Sequence, residues 1–201
     1  MTKSPVFRTV LGEGWEDLAD VVRRDYFLTP ASDDYICVTG EMSEVRHSNV
    51  AKLLIPVGLL FGAIVPYQGK NMPVDVHYRS DPANSNIYWD RVFKFDRGDF
   101  HFRSHMEPVA QNEVIEFVRF GIGVRLHVTV EEGAIVFRDF GYVWRVAGFD
   151  IPFPGKWLMG SAYVEEREID ASSFSMQMVL EHPLLGELFR YVGRFDLNVV
   201  E

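Results

Sequence analysis

A single cysteine, Cys37, stands in 201 residues, so no internal disulfide can form, and such usage fits a reducing compartment. Positive charge is scarce as well. Lysine and arginine total 20 against 29 aspartates and glutamates, a net charge of −9, and no basic cluster is longer than Arg23-Arg24. Nucleic acid and anionic membrane surfaces are therefore poor electrostatic partners. Long apolar runs are missing. The most hydrophobic part, residues 53–65, is shorter than the roughly 20 residues that cross a bilayer and is interrupted by Pro56 and Gly58, so no membrane span is expected. The first ten residues hold no run of signal-peptide length, and the expected location is cytoplasmic.

Catalytic signatures are equally sparse. There is no Gly-x-Ser-x-Gly, phosphate loop, dinucleotide fingerprint or His-Glu-x-x-His. His101 and His105 are four apart, which on a strand separates them by about 13 Å, and neither His47 nor His77 has a cysteine or carboxylate at ligand spacing. No metal or other cofactor is expected. No linker, composition shift or internal repeat divides the chain, which reads as one domain over residues 1–201.

What the chain does have is apolar content, 47%, and a long alternating segment, residues 114–146, folded back at Glu131-Glu132-Gly133. From Glu116 onward Val118, Phe120, Ile122, Val124, Leu126, Val128 and Val130 share one parity, and Arg119, Gly121, Gly123, Arg125, His127 and Thr129 the other. That period of two predicts one long strand with a single core face, and a return arm over residues 134–146. Gly121 and Gly123 mark a bend, a bulge or a close approach to the backbone. Residues 7–27 carry apolar positions at helical spacing, with Trp15 in the core stripe and acids before bases. A second helix, capped by Ser48-Asn49, spans the apolar run 53–65 as a buried helix or cavity lid.

Short strands bounded by turns follow at residues 35–45, 74–79, 87–96, 100–106, 158–169, 174–181 and 188–199, with Ile151-Pro152-Phe153-Pro154-Gly155 as a rigid crossing. This is meander grammar. It predicts an α+β fold: a large, strongly curved antiparallel β-sheet or barrel of about ten strands, with two N-terminal helices packed on it or closing it.

Trp89-Asp90-Arg91-Val92-Phe93, Phe120-Gly121, Ile151-Pro152-Phe153-Pro154 and His182-Pro183-Leu184-Leu185-Gly186 followed by Tyr191-Val192-Gly193 resemble the bacterial domain of unknown function 4166, as does the opening Phe7-Arg8 to Leu11-Gly12. The resemblance covers nearly the whole chain. Members occur alone or behind a Rossmann-type domain similar to saccharopine dehydrogenases, which implies a Rossmann-type oxidoreductase as a partner. The resemblance supplies no activity, cofactor or catalytic residue.

Two charges break the apolar columns. Arg91 stands among Ile87, Trp89, Phe93 and Phe95, and Glu116 heads the valine and leucine column. A buried unpaired charge costs several kcal/mol, so these two are expected to meet each other or a ligand. The opposite parity offers Arg125 and His127. Cys37 reads as a small core residue, and Lys156 as a weak candidate for carbonyl chemistry. Two function classes follow. One is a binding module for a hydrophobic or amphipathic small molecule, with Trp89, Arg91, Glu116, Arg125, His127, Tyr142 and Trp144 as ligand-binding candidates. The other is an enzyme using inward Arg91 and Glu116, with His127 as acid/base if it shares their lining.

Overall fold

The alternation of the hairpin segment recurs along the chain. In residues 72–80, for example, Met72, Val74, Val76 and Tyr78 are buried while Pro73 and Arg79 are exposed. The computed structural model describes residues 3–62 and 64–197, and within them such segments form β1 (Tyr35–His47), β2 (Met72–Ser80), β3 (Ile87–Phe95), β4 (Gly98–Ala110), β5 (Glu113–Phe117), β6 (Ile122–Glu131), β7 (Ala134–Val146), β8 (Phe149–Phe153), β9 (Ser161–Asp170), β10 (Ser173–His182) and β11 (Gly186–Asp196). Neighbours pair antiparallel. β1 bonds to both β2 and β11, and β6 bonds to β7, so ten strands close in the order β1-β2-β3-β4-β5-β6-β7-β9-β10-β11. Closure leaves no open edge on the ring. β8 is the extra strand: β9 takes the edge of β7 at Ile135 to Arg138, and β8 takes the same edge at Tyr142 to Val146. Between them the buried Asp139 accepts the Ala162 N–H at 2.7 Å and pairs with Lys156 at 3.1 Å.

One end of the barrel is plugged by α1 (Val6–Leu11), a 3-10 helix (Gly12–Asp17) and α2 (Asp20–Asp25). Asn112 N–H donates to Val10 O (2.7 Å), Ala19 N–H to Gly133 O (3.0 Å) and Ala31 N–H to Asn84 O (2.7 Å), while Arg24 reaches Ala171 O. The plug is thus fastened to the β4–β5, β6–β7 and β9–β10 turns, and the loop that follows it to the β2–β3 turn. Its apolar stripe is buried as expected, Trp15 included. The continuous helix expected over residues 7–27 is broken twice, however. Gly12 takes φ 59° and Leu18 is extended, which bends the segment over a round opening that a straight rod could not fill.

At the opposite end α3 (Ala51–Phe61) joins β1 to β2, with Ser48 Oγ accepting the Ala51 N–H at 3.1 Å and Gly62 ending the helix in the left-handed region. No helix among the described residues is long and apolar enough to cross a membrane. α4 (Lys156–Met159) occupies the start of the strand expected from residue 158, and residues 151–155 belong largely to β8. The last expected strand ends at Asp196; residues 198 and 199 lie outside the described residues. Cys37 is half-buried and lies outside the apolar core clusters, a correction to its reading as a core residue.

The long first arm of the central hairpin is two strands. It turns at Phe120 (φ 60°) and Gly121 (φ 74°), and β5 pairs back on β6 with Glu116 opposite Val124. A Cβ on Gly121 would lie 2.6 Å from Arg145 O. Gly121→Ala should accordingly cost about 1–3 kcal/mol from the positive φ and the clash, read as a lower urea midpoint with unchanged slope.

Candidate functional site

The barrel is not filled. A cavity of about 370 Å³ runs from the plug, at Tyr26, Tyr78 and Trp89, to the far end, at Leu54, Phe61 and Leu158. Its middle is walled by inward side chains such as Phe93, Phe137, Val164 and Met176. Polar groups gather toward the plug.

Arg91 points inward from the centre of β3. Its Nη2 donates to Glu116 Oε1 at 3.1 Å and its Nη1 to Ser104 Oγ at 3.0 Å, while Ser104 Oγ donates to the same Glu116 oxygen at 2.6 Å. The guanidinium lies 4.3 Å from the Trp89 ring centroid and 5.0 Å from that of Phe102. Both charges are largely withdrawn from solvent, with side-chain exposures of 13% and 17%. The two residues that broke the apolar columns therefore meet, on three strands, through a shared hydroxyl.

A second acidic group lies beside them. Glu166 occupies the inward column Ala162, Val164, Glu166 of β9, and Asp25, completely buried, receives the Tyr78 hydroxyl at 2.9 Å. Among the described residues Glu166 Oε2, Asp25 Oδ1, Tyr26 Oη and Trp89 Nε1 are buried without a hydrogen-bond partner. Burial pushes the Glu166 carboxyl up to about 7, opposed only in part by the nearby Tyr26 hydroxyl and the Arg91 guanidinium. Burial first, and then Glu166, also raises Asp25 well above the carboxylate range, against the Tyr78 hydrogen bond. Charging one carboxyl disfavours charging the other, so the pair titrates as a unit. Burial raises the Tyr26 and Tyr78 phenols too, and both stay protonated.

Of the residues singled out in the sequence, Trp89, Arg91, Glu116, Tyr142 and Trp144 line this cavity. Tyr142 Oη donates to Gly160 O at 2.7 Å, and Trp144 Nε1 to Phe120 O at 3.0 Å, which fastens the wall near α4 and the β5–β6 turn. Arg125 and His127 are placed elsewhere. They alternate with the inward Val124, Leu126 and Val128, so the period of two turns them to the outer face, where Arg125 pairs with Glu113 at 3.2 Å and covers Phe140, and His127 is exposed. The condition that His127 share the lining of Arg91 and Glu116 is not met. His101 sits with Asp90 and Arg103 on the outside, and among the described residues no three histidine, cysteine, aspartate or glutamate side chains come together as a metal site.

Asp25, Tyr26, Tyr78 and Glu166 were not singled out from the sequence. Glu166 occupies an inward column as Arg91 does, but the alternation of β9 does not mark that column as apolar. Asp25 follows Leu18, Val21 and Val22 at helical spacing, a carboxylate on an apolar stripe.

Residues 18–195 match the family described as "Domain of unknown function (DUF4166)". The protein described as "Uncharacterized protein YndH" of Bacillus subtilis (strain 168) is 27% identical over 170 residues, covering 79% of this chain and 81% of the relative. No solved structure matches the chain.

Proposed function

We propose that this chain, which belongs to the DUF4166 family, binds a hydrophobic or amphipathic small molecule inside its barrel. The observation that carries the reading is the cavity itself. At about 370 Å³ it falls in the range of small-molecule sites, and its make-up, apolar walls with a few polar groups at one end, is that of such sites. A closed ten-stranded ring is wide enough to leave an interior for a ligand. The exposed apolar side chains support a route in. Leu53 and Leu60 on α3, Phe120 on the β5–β6 turn, Trp157 and Leu158 on α4 and Leu184 on the β10–β11 turn all flank the end away from the plug, and each is more than half exposed. Such a concentration at the rim of an apolar cavity has a use in admitting an apolar molecule.

Native mass spectrometry of protein purified without detergent is the direct test. The expected result is a bound small molecule that denaturation releases; a chain mass alone, with no uptake of added amphiphiles, would refute the reading. Val164→Trp supplies the control. Val164 points into the cavity, so the indole should occupy the space with little strain, leaving the melting temperature unchanged or higher while ligand uptake falls at least tenfold.

A further inference from the structure

Among the described residues, the plug end of the cavity gathers three carboxylates, Asp25, Glu116 and Glu166, and one guanidinium, Arg91. Arg91 is committed to Glu116 and Ser104. Among the described residues neither Asp25 nor Glu166 makes an ion pair, and each keeps one buried oxygen without a hydrogen-bond partner. Asp25 stands behind the lining with one oxygen taken by Tyr78, whereas Glu166 faces the cavity, is 6% exposed, and has Oε2 free of any hydrogen bond. Aromatic rings line that end: Tyr26 lies 6.3 Å from Trp89 and 6.1 Å from Phe137, ring centre to ring centre. A buried carboxylate without a counter-ion must either hold a proton or meet a cation, and aromatic faces favour a cation further.

Resting on the reading of the barrel as a small-molecule binder, we propose that its plug end is a site for the ammonium group of an amphipathic amine, with Glu166 as counter-ion and the apolar chain lying along the barrel toward α3 and α4. The charge balance discriminates among head groups. An ammonium replaces the proton of Glu166, which leaves to solvent, and the interior gains one ion pair with no change in net charge. An alcohol leaves the acid protonated. A carboxylate adds a negative charge that nothing at this end compensates, since Arg91 is already paired with Glu116.

The groups facing Glu166 set the pH dependence. They are Asp25 and Tyr26 at the end of α2, Tyr78 on β2 and Arg91 on β3, with Glu116 of β5 behind Arg91; the paired positions on β7 and β10 are Ile135 and Met176. With the Glu166 carboxyl near 7, ammonium affinity should rise about tenfold between pH 6 and pH 8, because the ionised form is the competent one. An alkylammonium keeps its own proton to about pH 10, as lysine does, so the ligand does not titrate over this range.

Calorimetric titration of the full chain with octylamine, octanol and octanoate, at pH 6 and pH 8 and in buffers of different ionisation enthalpy, tests the proposal. The expected result is octylamine binding at least tenfold more tightly than octanol at pH 8, with about one proton released per amine bound at pH 6 and none for octanol. Glu166→Gln should abolish the preference for amine and keep octanol binding. If that variant fails to fold, the proton count on the parent protein decides. Octanol binding without an amine preference or proton release would overturn the ammonium site and leave the cavity reading standing, as would tightest binding of octanoate. Failure of all three probes to bind would overturn both.

Discussion

Arg91→Met should lower stability by about 3–5 kcal/mol, the cost of leaving Glu116 buried and uncompensated. Both side chains are mostly shielded from solvent and share Ser104 as a third partner, so water cannot readily replace the lost guanidinium. The Trp89 ring also loses the cation above it, about 0.5–1 kcal/mol more. Adding Glu116→Leu to Arg91→Met should recover much of the loss, because the second change removes the orphaned charge and fills its volume with an apolar group. Glu116→Leu alone strands Arg91 instead and should be costly in its own right. Urea denaturation of the parent, both single variants and the double variant closes a cycle, and a coupling energy above about 1 kcal/mol is the signature of residues in direct contact. Small, additive losses from the two single changes would show that the pair does not hold the barrel together.

This pair was legible in the sequence because parity survives errors in strand boundaries. Residues 116–130 were expected as one strand and are two, yet Glu116 and Val124 lie side by side on the inner face, since the turn at Phe120 and Gly121 returns β6 in register with β5. The barrel followed from the same regularity: ten alternating strands with one apolar face have few arrangements other than a closed or strongly curled sheet. The plug was visible as an amphipathic stripe, but its two breaks were not, because they answer to the curvature of the opening, a property of the assembled ring.

Glu166 and Asp25 escaped for physical reasons of a different kind. In β9 neither column is clearly apolar: Ala162 and Val164 face inward beside Glu166, but Tyr163 and Ile169 sit on the opposite parity among Glu165 and Arg167. Gly160, at φ 90°, and α4 also shift the start of the strand, so alternation counted from residue 158 begins in a helix. Asp25 sits at the end of α2, a position where a lone carboxylate usually reaches solvent. Only the closure of the barrel over the plug buries it. Arg125 and His127 show the converse: as the polar parity of a strand they were candidates while the cavity face was open, and the inward valines and leucines settle that they line the outside.

Glu166→Gln should remove the Glu166 part of the pH dependence of stability and flatten the response between pH 5 and pH 8. In the unfolded chain the Glu166 carboxyl releases its proton near 4.5, and in the barrel near 7, so the native state holds that proton more tightly. The stability this contributes is complete below about pH 4.5, falls as pH rises toward 7 and is gone above it, in contrast to acids paired at the surface. Across about 2.5 pH units, at about 1.4 kcal/mol each, the loss is at most about 3.5 kcal/mol, and it belongs to the Asp25–Glu166 pair because the two carboxyls titrate together. Asp25, raised for the same reason, acts in the same direction. Surface acids oppose this at low pH: hydrogen bonds, from Arg138 to Glu131 and from Ser173 and Ser172 to Asp170, hold both carboxyls down at about 2, so their contribution fades only under strong acid. The parent protein should therefore be most stable near pH 5 and weaken toward pH 8. A buried glutamine has no proton to lose, so the variant should match the parent at pH 5 within about 1 kcal/mol and exceed it by at most about 3.5 kcal/mol at pH 8. Urea midpoints at the two pH values read the difference directly, and parallel pH profiles for parent and variant would show that Glu166 is ionised in the folded barrel after all.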